Sequence, residues 1–312
     1  MEFGFKPTLI PDGVQDVTTI DRMEKFSLIV QDAQNDFDAA GSESDPPTAV
    51  EENKPTGEGQ QKENELPLEY RPSLPLPQTI TIEHEISNHN NFEFLGLENS
   101  GYVYKCPGGF AYKTQSSDRE VDFMKAAGDC SITPICRVMD RVEDRNGVLV
   151  PWGVIMELAT PYNFKLVAPE ERKAVMDEMV GLVERLHSEF GIVHGDIKPA
   201  NFLRCDGKLR LCDFDSARFI ADETTEGWEG FFSDRYLAPS RGFPDVGPPT
   251  VIDNNYGLAI SVWELFTGKD ALIGEDFEDI LPKGKTVDLT ELEDDGVRDF
   301  VRKRLREGGA KV

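Results

Sequence analysis

Four side chains near the middle of the chain could together hold a phosphate chain and its metal ions. Asp196 and Asn201 are five residues apart with Lys198 between them, and Asp213 follows twelve residues after Asn201. The two carboxylates and the amide offer oxygen ligands for Mg²⁺, and the ammonium offers a donor to phosphate. Since phosphoryl transfer demands positioned charge more than covalent chemistry from a protein, this spacing predicts a phosphoryl-transfer loop.

The elements that must position these residues change character along the chain. Strands are predicted at 92–97, 102–106, 110–113, 136–142 and 152–157, with turns at 107–109 and 145–147 and a helix at 119–127 capped by 116–118. From Pro169 the apolar period becomes helical and continues to residue 190. A sheet-rich part followed by a helical part predicts an α+β fold with two lobes that clamp a nucleotide between them.

Composition narrows the class of protein. The chain has 33 basic and 58 acidic residues in 312, a net charge of -25, which argues against nucleic-acid and anionic-membrane partners. Five cysteines without a CxxC pair predict neither a metal knuckle nor a disulfide framework. The absence of a basic leader and of an 18-residue apolar run predicts an intracellular protein, cytoplasmic or nuclear, with no membrane span.

The composition also predicts a domain boundary near residue 78. Residues 1–78 hold 16 acidic and 6 basic side chains, and 36–78 are rich in Gly, Ser, Pro, Glu and Asn. Such a segment cannot bury enough apolar area to offset its ordering entropy, so 1–78 is predicted to be largely disordered. Residues 79–312 are predicted to form the folded domain, with lobes at about 79–157 and 158–312.

The motifs in their order resemble the protein kinase superfamily over about residues 90 to 270. The resemblance rests on the loop 194–203, the Asp-Phe-Asp turn at 213–215, the Tyr-Leu-Ala-Pro-Ser stretch at 236–240 and the apolar segment 255–269. It implies ATP and Mg²⁺ as cofactors and a protein as substrate. In this reading Asp196 is the catalytic base, Lys198 steadies the γ-phosphate, and Asn201 and Asp213 hold Mg²⁺.

The resemblance also implies nucleotide contacts in the sheet-rich lobe. The implied residues are Gly96, Gly101, Val103, Lys113, Glu120, Glu157 and Ala159. The first three belong to a glycine loop, Lys113 contacts the α- and β-phosphates and pairs with Glu120, and 156–159 form the hinge whose backbone receives the adenine. His194 is expected to pack beneath the 213–215 turn, and His187 to lie in the core at a helix end.

Several residues depart from the family pattern. Gly195 stands where arginine is usual in the family. A phosphate on the activation segment, which includes Thr224 and Thr225 and ends at 236–240, would therefore have no partner at position 195. Control by phosphorylation of Thr224 or Thr225 is not expected. Asp215 and Ser240 replace a glycine and a glutamate, and Glu98 replaces the second glycine of the loop. After Lys269 only 43 residues remain, which predicts a shortened helical lobe with one helix at 298–307.

Three functions remain open at this stage. Lys198 and a hydroxyl at Ser233 favour a serine/threonine protein kinase. The His-Gly-Asp order and the acidic residue after Asp-Phe also occur in aminoglycoside- and choline-type phosphotransferases, and the departures allow a pseudokinase scaffold. Acidic residues at 222, 223, 226 and 229 predict that acceptor sites lie in a basic sequence context. The oligomeric state is not predicted.

Overall fold

A computed structural model describes residues 79–81, 92–98, 101–106, 108–140, 150–222, 232–242 and 246–312. The region 1–78, the turn at 145–147 and the residues 223–231 therefore lie outside the described part, and the predictions made for them stay predictions. The strands are β1 Thr79–Thr81, β2 Glu93–Glu98, β3 Gly101–Cys106, β4 Phe110–Thr114, β5 Pro134–Asp140, β6 Val150–Glu157, β7 Thr160–Pro161, β8 Ile192–Val193, β9 Phe202–Cys205, β10 Lys208–Leu211 and β11 Arg218–Phe219. The helices are α1 Asp118–Ala126, α2 Arg172–Ser188, α3 Val251–Thr267, α4 Phe277–Ile280 and α5 Asp295–Glu307.

The N-terminal lobe is a six-stranded sheet with one helix beside it. Its strand order is β1-β5-β6-β4-β3-β2, and every pairing is antiparallel except that of β1 with β5. Strand β4 lies in the interior of the sheet and is buried throughout. Because side chains alternate along a strand, Tyr112 packs into one apolar cluster while Ala111 belongs to the main core on the other face. Lys113 shares the face of Ala111.

Helix α1 lies between this sheet and the second lobe. It begins one residue earlier than predicted, with Ser117 as N-cap: the Ser117 hydroxyl accepts a 3.0 Å hydrogen bond from the Glu120 backbone N–H. Val121, Phe123 and Met124 bury its apolar face. Glu120 therefore lies in the first turn of the helix, on the side that faces the sheet and the second lobe.

The C-terminal lobe is built on helices α2 and α3. Helix α2 begins at Arg172 and not at Pro169, because the backbone first turns through 168–171, where Glu171 N–H donates to Ala168 O. Helix α3 starts with a capping box between Thr250 and Asp253 and is buried along most of its length. Short antiparallel pairs (β7 with β9, β9 with β10, β8 with β11) were not predicted, and they frame the catalytic segments.

The C-terminus of helix α5 lies against the segment around Ser240. The Ser240 backbone N–H donates to Gly308 O at 2.9 Å. A Cβ on Gly308 would lie 2.5 Å from the ring of Tyr256, so the close approach requires glycine. Backbone contacts at the end of α5 thus anchor the residue that replaces the family's usual glutamate.

The two lobes match the predicted α+β architecture of a small sheet lobe with one helix and a mainly helical second lobe. Within the described residues, no helix is both long enough and apolar enough to cross a bilayer.

Helix α3 packs closely against the loop 194–203 at Gly257. A Cβ on Gly257 would lie 2.4 Å from the carbonyl oxygen of Ile197, the residue between Asp196 and Lys198. Alanine there would either displace the segment or strain the helix. By contrast, a Cβ on Gly181 in α2 would meet no described atom within 4 Å.

We expect Gly257→Ala to lower the free energy of unfolding by about 1–3 kcal/mol, because the clash outweighs the higher helix propensity of alanine. The matched variant Gly181→Ala should raise it by about 0.5–1 kcal/mol. Urea unfolding followed by circular dichroism measures both changes. A stabilised Gly257→Ala would show that α3 and the catalytic segment are not in close contact.

Candidate active site

The segment after β8 brings Asp196 and Asn201 into direct contact. The Asn201 side-chain N–H donates to Asp196 O at 2.7 Å, and the Cys212 backbone N–H donates to Asn201 O at 3.1 Å. A 3-10 turn over Pro199–Asn201 gives the reversal that this contact needs. The loop is therefore fixed at both ends, and the amide oxygen of Asn201 is left available as a ligand.

Lys198 joins the carboxylate of Asp196 to a hydroxyl from a distant segment. Its ammonium lies 2.5 Å from Asp196 Oδ2 and 2.9 Å from Ser233 Oγ. The Asp196 side chain is 5% exposed and that of Lys198 is 17% exposed. A hydroxyl, a carboxylate and an ammonium thus meet at one point beside the cleft, as the position of Ser233 in the sequence predicted.

His194 packs under the 213–215 turn, as predicted. Its Nε2–H donates to Cys212 O at 2.8 Å, its Nδ1 accepts from the Asp196 backbone N–H at 3.3 Å, and its ring centroid lies 4.6 Å from that of Phe214. Burial lowers the pKa of His194. The neutral ring therefore acts as a spacer with one donor and one acceptor, both used by backbone.

Asp213 adopts a backbone conformation that aims its carboxylate back at the N-terminal lobe. Its φ and ψ are both 64°, in the left-handed region, which aspartate tolerates better than most residues. Such conformations cost roughly 1–3 kcal/mol and are often found where function requires them. Here the result is a contact of 3.0 Å between Asp213 Oδ1 and Lys113 Nζ.

Lys113 is a buried ammonium surrounded by acids from both lobes. Its Nζ lies 2.6 Å from Glu120 Oε1 and 3.7 Å from Asp215 Oδ2, in addition to Asp213. The Ser116 hydroxyl donates to the second oxygen of Glu120 at 2.5 Å. Burial raises the pKa of Glu120 to about 8, against the lowering effect of Lys113. Burial alone would also raise the pKa of Asp213, but the charge and hydrogen bond of Lys113 hold it below its ordinary value.

A cavity of about 400 Å³ opens between the lobes next to these residues. Its lining includes Leu95, Gly96, Val103, Ala111, Ile132, Met156, Glu157, Ala159, Pro161, Lys198, Ala200, Asn201, Leu203, Cys212 and Asp213. The walls are mostly apolar near the hinge and polar at the Asp213 end. Such a gradient suits a flat apolar ring at one end and a charged group at the other.

Three residues of the predicted nucleotide set lie outside this lining. Lys113 and Glu120 are buried behind Asp213. Gly101 is packed against the end of β4, where a Cβ would lie 2.0 Å from Thr114 O, so its glycine already has a structural cause. Glu157 lies at the cavity, but its carboxylate accepts from Arg210 Nη1 at 2.6 Å. This contact does not affect the predicted role of Glu157, because that role was adenine binding by the backbone of 156–159.

Some lining residues were missed although a signal existed. Ala111 lies two residues before Lys113 in β4, so strand alternation places it on the same face. Leu203 likewise follows Asn201 by two residues, at the start of β9. Ile132 and Cys212 carried no comparable signal.

Asn254 was also not predicted from the sequence, and it holds the backbone of the loop 194–203. Asn254, in the first turn of α3, accepts a 2.9 Å hydrogen bond from the Gly195 backbone N–H through Oδ1. Its Nδ2 lies 2.9 Å from His187 Nε2, in the last turn of α2. Since an amide N–H donates, His187 accepts through an unprotonated Nε2. Two helices thus hold the backbone just before Asp196.

The backbone conformation at position 195 requires glycine. Its φ is +88°, and a Cβ there would lie 2.5 Å from Ser216 O and 2.9 Å from Pro249 Cγ. Any side chain at this position would meet both the 213–216 turn and the loop before α3. The absence of arginine before Asp196 is therefore imposed by the backbone path.

The residues present fit ATP with Mg²⁺. Asn201 and Asp213 put an amide oxygen and a carboxylate at the cavity, both ligands that Mg²⁺ prefers. The pKa of Asp213 is lowered, so it stays ionised at neutral pH. Lys198 in the lining, and Lys113 behind Asp213, would supply the positive charge that a phosphate chain requires.

The fold has two lobes with a cavity between them, and comparison with known proteins gives the family. The family model described as protein kinase domain matches residues 110–288. The chain belongs to this family. This confirms the resemblance predicted from the motifs.

Relatives agree with that assignment at low similarity. A dual specificity protein kinase Ttk of Danio rerio is 48% identical over 63 residues, which cover 20% of this chain and 6% of that protein. A probable serine/threonine-protein kinase of Corynebacterium efficiens is 29% identical over 163 residues, which cover 48% of this chain and 24% of the relative. The chain thus matches less than a quarter of the length of either relative.

A solved structure supports the fold. The structure of the Cydia pomonella granulovirus kinase aligns with a TM-score of 0.50 and 19% identity, covering 70% of this chain and 89% of that one. At this identity the match concerns the fold alone, and it confirms the predicted two-lobed α+β architecture.

The His187–Asn254 contact predicts a pH-dependent stability. Burial, with His194 as second cause, lowers the pKa of His187 to about 4, from an ordinary value of about 6.5. The unfolded chain therefore takes up the proton first, and the free energy of unfolding should fall by about 1–3 kcal/mol as the pH drops from about 6.5 towards 4. His187→Gln, which keeps an acceptor for Asn254, should reduce this loss.

Urea unfolding at pH 7.5 and at pH 5 measures the effect. The variant should match the parent chain at pH 7.5 and exceed its stability at the lower pH. Part of the slope will persist, because the pKa of His194 is lowered as well. Equal slopes in both proteins would contradict a half-buried, neutral His187.

Proposed function

We propose that this chain transfers the γ-phosphate of ATP, with Mg²⁺, to serine or threonine hydroxyls of protein substrates. The observation that carries the proposal is the cluster of Asp196, Lys198 and Ser233, in which a carboxylate and an ammonium lie at 2.5 Å from each other and the ammonium lies 2.9 Å from a hydroxyl. A carboxylate beside the cleft can accept the proton of an attacking hydroxyl. An ammonium next to it can neutralise charge on the transferred group.

The remaining roles follow from the same geometry. Asn201 and Asp213 would hold Mg²⁺, and Lys113, kept in place by Glu120, would contact the phosphate chain. Bound Mg²⁺ would neutralise charge on the phosphate oxygens. Gly96, Val103, Glu157 and Ala159 line the part of the cavity that would receive the nucleoside.

The choice of acceptor also draws on the relatives. The Corynebacterium relative is described as a probable serine/threonine kinase, whereas the zebrafish relative is described as dual specificity. The Lys198–Ser233 contact favours serine and threonine for this chain. A basic sequence context around the acceptor is proposed from the acidic residues at 222–229, of which Asp222 alone lies in the described part.

The test is a transfer assay with ATP, Mg²⁺ and a mixture of protein acceptors. Phosphate should appear on serine and threonine, and Asp213→Asn and Asp196→Asn should each lower kcat by about 10²–10⁴-fold. Asp177→Asn removes an exposed acid on α2 and should leave kcat unchanged. A degenerate peptide array then tests whether Arg or Lys is enriched around the acceptor.

Other outcomes would replace the proposal. Transfer to aminoglycosides or choline but not to protein would indicate a small-molecule phosphotransferase. ATP binding without transfer to any acceptor, or no binding, would indicate a pseudokinase. Phosphate on tyrosine would contradict the serine/threonine assignment while leaving the reaction class intact.

A further inference from the structure

Helix α1 carries Glu120, so the position of Lys113 depends on how firmly this helix is held against the second lobe. A phosphate on the activation segment cannot act through residue 195, because Gly195 has no side chain and no space for one. The contacts between α1 and the 213–219 segment are the described features that can supply this support, and they involve two residues that no role above has used.

Arg119 forms the first connection. From the first turn of α1, its Nη2 donates to Ala217 O at 2.6 Å and its Nη1 to Asp215 O at 3.3 Å. Its guanidinium lies 5.4 Å from the ring centroid of Phe123, whose own ring is 4.9 Å from that of Phe219. One planar cation thus spans two carbonyls of the segment and covers an aromatic contact between the same two elements.

The carboxylate of Asp215 forms the second connection. Its Oδ2 lies 3.7 Å from Lys113 Nζ, and its Oδ1 lies 3.5 Å from the Ser117 hydroxyl, the N-cap of α1. Ser117 can accept from Glu120 N–H and donate to Asp215 at the same time. A negative charge at a helix N-terminus is also favoured by the helix dipole.

The backbone does not require glycine at this position. Among the described residues, positive φ at a non-glycine position occurs at Gln115, Asp206, Asp213 and Leu272, but not at Asp215. An aspartate is therefore accommodated without strain, and its side chain, 15% exposed, is turned towards Lys113 and α1. The departure from the family's glycine adds a contact and leaves the turn intact.

We propose that Arg119 and Asp215 are positioning residues that clamp helix α1 to the 213–217 segment, and so preset the Lys113–Glu120 pair without phosphorylation of the activation segment. This inference rests on the proposed function for its kinetic consequence, whereas its structural consequence can be measured on the nucleotide-free protein.

The structural test is hydrogen–deuterium exchange of the full chain. Arg119→Met and Asp215→Asn should each speed exchange of the α1 amides at least about fivefold, while the amides of the buried helix α3 stay unchanged. Arg119→Lys keeps the charge but cannot span both carbonyls, so it should give an intermediate rate. Lys173→Met and Asp177→Asn, on the exposed face of α2, are the matched controls and should change neither helix. Phosphatase treatment of the parent chain should leave α1 exchange unchanged.

The kinetic test separates positioning from metal binding. Asp215→Asn should lower kcat about tenfold, because a displaced helix misplaces Lys113, and the Mg²⁺ concentration for half-maximal rate should stay the same. If the parent chain transfers no phosphate, the proposed function fails, and the exchange experiment still decides the clamp.

Four results would overturn the clamp. Unchanged exchange of the α1 amides in both variants would show that the Arg119 and Asp215 contacts do not stabilise helix α1. Equal acceleration in α1 and α3 would mean general destabilisation. A raised Mg²⁺ requirement with unchanged α1 exchange would make Asp215 a metal ligand. Faster α1 exchange after phosphatase treatment would assign the support to a phosphate.

Discussion

The buried ammonium of Lys113 must be neutralised by acids from both lobes. Moving such a charge out of water costs several kcal/mol unless partners surround it. Three partners surround it: Glu120 from helix α1, and Asp213 and Asp215 from the second lobe. One oxygen from each of these three acids lies within 4.8 Å of the others, so each acid in turn needs the cation. The sheet, the helix and the second lobe are therefore joined at one charged point.

In the second lobe, close contacts to the backbone fix the segments that carry the charged residues. Helix α3 lies against the catalytic segment because Gly257 admits the carbonyl of Ile197, and Asn254 fixes the amide of Gly195. His194 then spaces Asp196 from the turn that carries Asp213. Side chains of high charge are thus placed by glycine, amide and imidazole groups that carry none.

Local sequence predicted the parts of the site whose residues lie close together in the chain. The offsets among Asp196, Lys198 and Asn201, and the order of Lys113 before Glu120, follow from one loop and from one strand–helix pair. What could not be predicted depends on partners far away: Asn254 lies 59 residues from Gly195, and Asp215 lies 98 residues from Ser117. Neither contact leaves a periodic pattern.

Strand β1 shows the same limit for the fold. Its three residues, Thr79–Thr81, are β-branched, but a run this short does not predict a strand by itself, and the strand is defined by its parallel pairing with β5. They cover an edge that would otherwise present unpaired backbone groups beside helix α1. The domain boundary predicted near residue 78 stays a prediction, because residues 1–78 lie outside the described part.

The backbone at position 195 limits which residue can precede Asp196. A side chain at this position requires the carbonyl of Ser216 and the ring of Pro249 to move together, and the backbone to leave a φ of +88°. An arginine before Asp196 is therefore not reachable by one tolerated substitution from the present sequence. Control of this site through the residue before Asp196 would therefore require the backbone around position 195 to change as well.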